Sequence, residues 1–454
     1  MDCGRSSPIA RVENAVIRPI RLITLAPGHF HAALVQKHMA LGVHPRAYVY
    51  APLDDDLAAH LAKLAGFNSR ESVPTAWELD VRTGPNYLER CLREQPGNTL
   101  VIAGRNRPKI DLILAGVTNG LFVLADKPWV IRAADFPKLE RVFAEADLRD
   151  VFAKDMMTER FEITSRLQYE LVRDPDVFGK WTTGAADRPA LTLESVHYLK
   201  KTVAGSPLRR PPWWFDVDVA GEAIADVGTH LADLALWLFN SEPAIDYRRD
   251  VKVLDATCWP TRLSREQFTS LTGLNEIPAE LLAKSGDGPD LLYRGNGTTN
   301  LQIRGIHTRL TTRWDYEAPL GQIDSHESVA VGTKSRVIIR PTPNAQGAKA
   351  SELFVSAVEP GNHAWIVKAV RHWCDDWQEQ YPGLLAVDRG DTVHIQVPDE
   401  LRTVHEDHFA AVFAEYREDF ANRRHIPAVE RTQLLAKYFI TTRAVELAYG
   451  RGMA

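Results

Sequence analysis

Hydrophobic positions in the first third of the chain fall into short β-branched runs separated by helical stretches of ten to fifteen residues. That rhythm predicts βαβ units and a parallel sheet. The predicted strands are Arg21–Ala26, Ala47–Ala51, Trp77–Val81, Thr99–Ala103, Leu121–Ala125 and Val151–Lys154. Between the second and third, Asp54 to Leu64 opens with three acids, which suit the positive end of a helix dipole. It then places Leu57, Leu61 and Leu64 on one stripe.

Beyond about Lys154 the pattern changes to longer alternating strands: Leu191–Leu199, Val251–Thr257, Thr298–Tyr316, and His326–Arg340 around a Gly332-Thr333 turn. Strands that succeed one another with few helices between them predict an antiparallel sheet. Four helical stretches accompany it: Glu222–Phe239, His363–Glu379, Asp399–Asn422 and Pro427–Tyr449. Residues 205–214 and 341–350, punctuated by Pro and Gly, read as loops. The expected fold is an α/β Rossmann domain followed by an α+β C-terminal domain with a large, mainly antiparallel sheet. The expected boundaries are an arm over 1–20, a dinucleotide-binding domain over 21–155, and a substrate-binding and oligomerisation domain over 156–454.

Composition narrows the class. The chain has 454 residues, 45% of them apolar, with a formal net charge of -5. That length accommodates two or three domains, and the charge gives no field to attract nucleic acid or anionic lipid. Its 4 cysteines are scattered with no C-x-x-C pair, against a disulfide framework or structural zinc site and in favour of a reducing cytoplasm. No apolar run is long enough to span a bilayer, and the first twenty residues lack the apolar core of a secretory signal.

Three segments carry candidate chemistry. The first strand runs into Ala26-Pro27-Gly28-His29-Phe30-His31, where a nucleotide-binding fold needs a tight turn; only Gly28 of the G-x-G-x-x-G template is kept, with Ala26 and His31 at the outer positions. An ordinary strand-to-helix turn explains that segment about as well. The ribose-binding acid is missing from the end of the second strand, so NAD and NADP both stay open. The fourth and fifth strands deliver polar residues to the carboxyl edge, where α/β sheets bind ligands; Lys127 before Pro128 stands out. In Gly221–Leu234, Asp226, His230 and Asp233 share one face of a helix at i, i+4 and i+7. His29-x-His31 shows no third ligand and His405-Glu406-Asp407-His408 lacks the H-E-x-x-H spacing, so no metal site is expected.

Together these segments resemble the Gfo/Idh/MocA family of nicotinamide-dependent oxidoreductases. Asp126-Lys127-Pro128 is similar to its E-K-P signature, and Gly221 through Asp233 to its G-G-x-x-x-D-x-G-x-H-x-x-D helix, with Glu222 at the second Gly. Residues 103–109 resemble its T-P-N-x-x-H segment, keeping Asn106 but placing Lys109 where the family has His. Segments 195–198, 210–216 and 314–319 look like a subgroup of sugar oxidoreductases with its own C-terminal domain.

The resemblance implies hydride transfer between a carbohydrate secondary hydroxyl, such as that at C3, and NAD or NADP. His230 inherits the acid–base role and Lys127 that of polarising the hydroxyl, with Asp226 orienting the sugar or His230 and Asp233 structural. Ala26, Gly28, His29, Phe30 and His31 are the implied cofactor contacts, joined by Gly104, Asn106, Asp126 and Lys127. Lys109, Asp226, Trp213, Trp214 and His326 are the substrate-side candidates. A redox-neutral, NAD-dependent glycoside-cleaving enzyme and a non-catalytic nucleotide-binding regulator are the alternatives. A homo-oligomer, dimer or tetramer, is implied by the family and by a sheet face that helices do not cover.

Overall fold

A computed structural model describes residues 19–203, 206–240, 243–286, 288–319, 324–343, 349–422 and 425–450. Most of the N-terminal arm and the middle of the loop expected at 341–350 therefore lie outside the described residues.

Strands β1 (Leu22–Leu25), β2 (Arg46–Ala51), β3 (Glu78–Thr83), β4 (Thr99–Ile102), β5 (Phe122–Asp126) and β6 (Ala153–Met156) form one sheet in the order β3-β2-β1-β4-β5-β6. Every pairing is parallel, and the order reverses between β1 and β4, the crevice where such sheets bind ligands. Strands β1 and β4 are buried along their whole length, which is why they read as continuous apolar runs. After β2, Asp54 caps the helix Asp55–Ser69 by accepting from the Leu57 amide at 3.0 Å, leaving Asp55 and Asp56 in its first turn.

The second sheet has nine strands. They are β7 (Leu191–Lys200), β10 (Val251–Leu263), β11 (Leu291–Ile303), β12 (Ile306–Glu317), β13 (Ser325–Val331), β14 (Ser335–Pro343), β15 (Lys349–Ala357), β16 (Leu385–Asp388) and β17 (Val393–Gln396). A two-stranded ribbon, β8 (Thr202–Val203) with β9 (Ser206–Pro207), interrupts the region expected to be a loop. The sheet order is β10-β11-β12-β7-β13-β14-β15-β17-β16, antiparallel except for the β12–β7 pair. The single run expected over Thr298–Tyr316 is a hairpin. Its Arg304-Gly305 turn has φ of +53° and +78°, the backbone that two-residue hairpin loops demand.

Alternate residues of β11 and β12 are buried, and this inner face packs on the helices Ile163–Leu171, Gly228–Leu238, His363–Asp376 and Ala428–Gly450. The two C-terminal helices also return to the first sheet. Phe409, Val412 and Tyr416 of His405–Ala421 join Leu22 and Val101, and the Tyr416 hydroxyl donates to Thr99 Oγ1 at 3.0 Å. Leu434 and Tyr438 of the last helix pack on Trp129 and Leu139. Among the described residues no helix is long and apolar enough to cross a membrane.

Candidate active site

The carboxyl ends of β1, β4 and β5 lie side by side, so the residues that follow them meet. Ala26, at φ +45°, occupies a left-handed conformation that a Cβ disfavours, which accounts for the glycine expected there. The amides of Gly28 and His29 donate to the Ala103 carbonyl at 3.0 and 3.1 Å, tying the first turn to the end of β4. A Cβ on Gly104 would stand 2.5 Å from the Ala26 carbonyl oxygen, so that crossing requires glycine. Gly28 faces Asp56 and the Trp213 ring, at 3.2 and 3.4 Å from where its Cβ would be. Asp56 accepts from the Trp213 indole N–H at 3.0 Å and from Arg105 at 3.2 Å, so Trp213 borders the turn at which a nucleotide is expected.

Strand β5 ends in Asp126, followed by Lys127 and a cis Lys127-Pro128 bond. Lys127 Nζ donates to Asp226 Oδ1 at 2.6 Å, with both side chains largely buried. Burial works against the ammonium, but Asp226 and Asp126 outweigh it and hold the Lys127 pKa above its ordinary value. Asp126 in turn lies 3.0 Å from His31 Nδ1.

Lys109, expected to touch substrate, is instead wholly enclosed. Its ammonium donates to Asn106 Oδ1 at 2.7 Å and to the Lys127 carbonyl at 3.2 Å, and burial lowers its pKa to about 8. Asn106, expected at the cofactor, has its amide on the Ala220 carbonyl at 2.6 Å. Both residues brace the Lys127 segment from behind.

His230 is the third residue of the helix Gly228–Leu238, which starts later than the sequence pattern suggests. Asp226 precedes that helix in a turn and pairs with Lys127, so it positions the lysine; it makes no hydrogen bond to His230 among the described residues. His230 Nδ1 is buried with no hydrogen-bond partner there. Burial first, then Lys127, His405, His197 and His31, hold the imidazole pKa well below 6.5, so it is neutral and able to accept a proton.

The second sheet contributes a further polar group. His197 shares a hydrogen bond with Ser195 Oγ at 2.8 Å and lies 3.1 Å from Asp324, which also accepts from Lys201. Burial would raise the Asp324 pKa, but His197 and Lys201 hold it below the ordinary value. His326, pushed down to about 4 by burial and then by His197, belongs to this cluster. Trp214 is buried against Tyr293 and Trp314, with the Arg210 guanidinium 4.4 Å from its ring; it is core, not a platform for sugar. Asp233 points away from the site, accepting from Arg160 at 2.6 and 2.7 Å and from Lys437 at 3.1 Å. Glu222, at the position where the family has Gly, is buried and accepts from the Tyr449 hydroxyl. It faces a cavity of about 730 Å³ that also contains Arg132, Lys284 and Arg294 but neither Lys127 nor His230.

Sequence reasoning did not single out Glu159 or assign a role to His405. Burial lifts the Glu159 carboxyl to about 7, and both groups are close enough to Lys127 to feel its charge. Nothing local marks either; each reaches the site from a distant segment. The three described cysteines, Cys91, Cys258 and Cys374, are free.

A parallel nucleotide-type sheet joined to a large, mostly antiparallel sheet, with a buried lysine and a half-buried histidine, is the architecture of a Rossmann-type oxidoreductase. Residues 167–449 match the family model described as "Putative oxidoreductase C terminal domain". A solved "putative oxidoreductase" from Parabacteroides merdae is 38% identical, with 96% of this chain and 98% of that one covered and a TM-score of 0.92. The chain belongs to the Gfo/Idh/MocA-type oxidoreductases that carry this C-terminal domain.

Two more distant structures share the fold. A levoglucosan dehydrogenase in complex with NADH and levoglucosan is 13% identical, covering 95% and 98% of the two chains with a TM-score of 0.55. A 3-ketoreductase mutant from Actinomadura kijaniata, in complex with TDP-benzene and NADP, is 14% identical, covering 94% and 97% with a TM-score of 0.55. Among curated proteins none matches the chain.

Proposed function

We propose that the chain transfers hydride between a secondary hydroxyl of a sugar or glycoside and a nicotinamide cofactor, NAD or NADP. The observation that carries this reading is the buried Lys127–Asp226 pair, with the neutral His230 imidazole within its field at the carboxyl edge of the parallel sheet. The residues present fit a dinucleotide: Gly104, whose Cβ would stand 2.5 Å from the Ala26 carbonyl oxygen, lets the turns after β1 and β4 cross closely at the point where the sheet order reverses, and Gly28 adds no side chain to that turn. The fold relatives, a levoglucosan dehydrogenase with NADH and levoglucosan and a 3-ketoreductase with NADP and TDP-benzene, support the same class.

When bound, the nicotinamide ring supplies the hydride acceptor or donor. The chain's own residues handle the proton and the developing charge. The Lys127 ammonium, kept protonated by Asp226, stabilises alkoxide character on the reacting oxygen. His230, kept neutral by burial and by the Lys127 charge, accepts the hydroxyl proton or returns it in the reverse direction. Trp213 borders the turn and is the aromatic placed to contact sugar or nucleotide.

Two measurements test the reading. Denaturing the purified protein and identifying released nucleotide by mass spectrometry, followed by a carbohydrate screen for nicotinamide reduction, identifies cofactor and substrate. Lys127→Ala and His230→Ala should then each lower turnover by roughly 10²–10⁴-fold. Wild-type rates in both variants refute the assignment, and turnover of a glycoside without net reduced nicotinamide points instead to the redox-neutral cleavage cycle.

A further inference from the structure

The turn after β1 and the end of β5 bring together three side chains to which the hydride-transfer reading gives no proton to hold or move. His29 Nδ1 lies 3.5 Å and His31 Nδ1 3.0 Å from the same Asp126 oxygen, Oδ2. One ligand atom from each residue falls within 4.8 Å of the others. The sequence shows only the His-x-His pair; the third member comes from a strand 95 residues away.

On a tetrahedral ion with bonds of about 2.1 Å, neighbouring ligand atoms stand about 3.4 Å apart, so the two His–Asp separations are within about 0.5 Å of that spacing and the imidazole pair closes to it from at most 4.8 Å. His29 Nδ1 and Asp126 Oδ1 are both buried and have no hydrogen-bond partner among the described residues. Each such orphan costs about 1–3 kcal/mol, and a cation between the three groups would satisfy the imidazole nitrogens and the carboxylate together. The lysines nearby oppose a dication, but Lys127 is already paired with Asp226 and Lys109 with Asn106 and the Lys127 carbonyl.

We infer that His29, His31 and Asp126 form a site for one divalent transition-metal ion of the zinc type. Two imidazoles and one carboxylate match that class and are too nitrogen-rich for magnesium or calcium. Three protein ligands leave a further coordination position, the arrangement of metal sites that take water or a substrate oxygen. His29 is close enough to Lys127 and Asp226 to feel both charges, so that position lies near the Lys127–Asp226 pair.

The test is Co²⁺ titration of the full-length, chelator-treated protein, followed by its visible absorption, with Zn²⁺ retained after dialysis counted by elemental mass spectrometry. Neither nucleotide nor sugar is present, so failure here is separate from failure of the hydride-transfer reading. One equivalent should bind with micromolar or tighter affinity. His29→Asn and Asp126→Asn should each weaken binding by about 100-fold or more, while His372→Asn, at an exposed histidine, should not. Circular dichroism checks that each variant is folded. If Asp126→Asn fails that check, His29→Asn decides, because the His29 side chain is 29% exposed and tolerates replacement. Absence of stoichiometric uptake, or unchanged uptake in a folded His29→Asn variant, overturns the site.

Discussion

Replacing Asp233 with Asn should destabilise the protein through charge imbalance alone, with little change of shape. Asp233 and Lys437 have 2% of their side chains exposed, and Asp155, the other acceptor for Lys437, has 8%. Arg160 makes two hydrogen bonds to the Asp233 carboxylate. The four groups sum to zero charge; the variant leaves a surplus positive charge among buried side chains. At an effective dielectric constant of about 20, each cation about 3 Å from the carboxylate gains roughly 5–6 kcal/mol, much of it offset by desolvation.

Removing one partner of such a buried pair costs about 3–5 kcal/mol net. For 454 residues unfolding together, with about 2.1 cal/mol/K of unfolding entropy per residue, that lowers Tm by about 3–5 °C. Differential scanning calorimetry reads the shift. The pH dependence supplies a second check. Arg160 and Lys437 outweigh burial and depress the Asp233 pKa in the fold, so its contribution is complete above the unfolded value of about 3.9 and is lost as pH falls through the folded value. The gap between wild type and variant should be constant above about pH 5 and narrow below pH 4. A Tm within 1 °C of wild type at pH 7, roughly the resolution of the comparison, refutes the claim that this network carries net stability.

Four further outcomes follow from particular residues. Ala26→Gly should be neutral or stabilising by up to about 1 kcal/mol in calorimetry, because it relieves a left-handed alanine. Gly104→Ala, whose Cβ would press on the Ala26 carbonyl, should cost about 1–3 kcal/mol of stability and weaken nucleotide binding by at least tenfold in a fluorescence titration. Glu159→Gln should raise Tm at pH 8 by at most about 3 °C. The wild-type carboxyl, lifted to about 7 by burial, makes the fold lose stability as pH rises from about 4.5 to 7, so the advantage should vanish by pH 4.5. Finally, the half-buried polar outer face of β7, β11 and β12, carrying Glu194, Asn300 and Arg309, should pair with a second copy; light scattering that shows a monomer at working concentration removes this.

What the sequence determined by itself is local. The six strands of the parallel sheet were legible to within a few residues, most directly β1 and β4, which are buried along their whole length and therefore read as apolar runs bounded by turns. Alternation marked β7, β10 and β13, and Pro427 marked the start of the last helix. It failed for β16 and β17, whose four residues are too few to show a period, and it merged β11 with β12 because Arg-Gly is a weak turn signal. In the site, the residue types at 127 and 230 were legible through their motifs.

Who meets whom was decided by strand order and chain return. Asp226 lies 99 residues from the lysine it holds, Asp126 lies 95 from His31, and Lys437 lies 204 from Asp233. The same placement turned Lys109, Asn106 and Trp214 inward, because their enclosure depends on segments packed over them that no local pattern records. Periodicity fixes which face a side chain takes on its own element; only the assembled topology fixes which charge, ring or carbonyl waits on the other side.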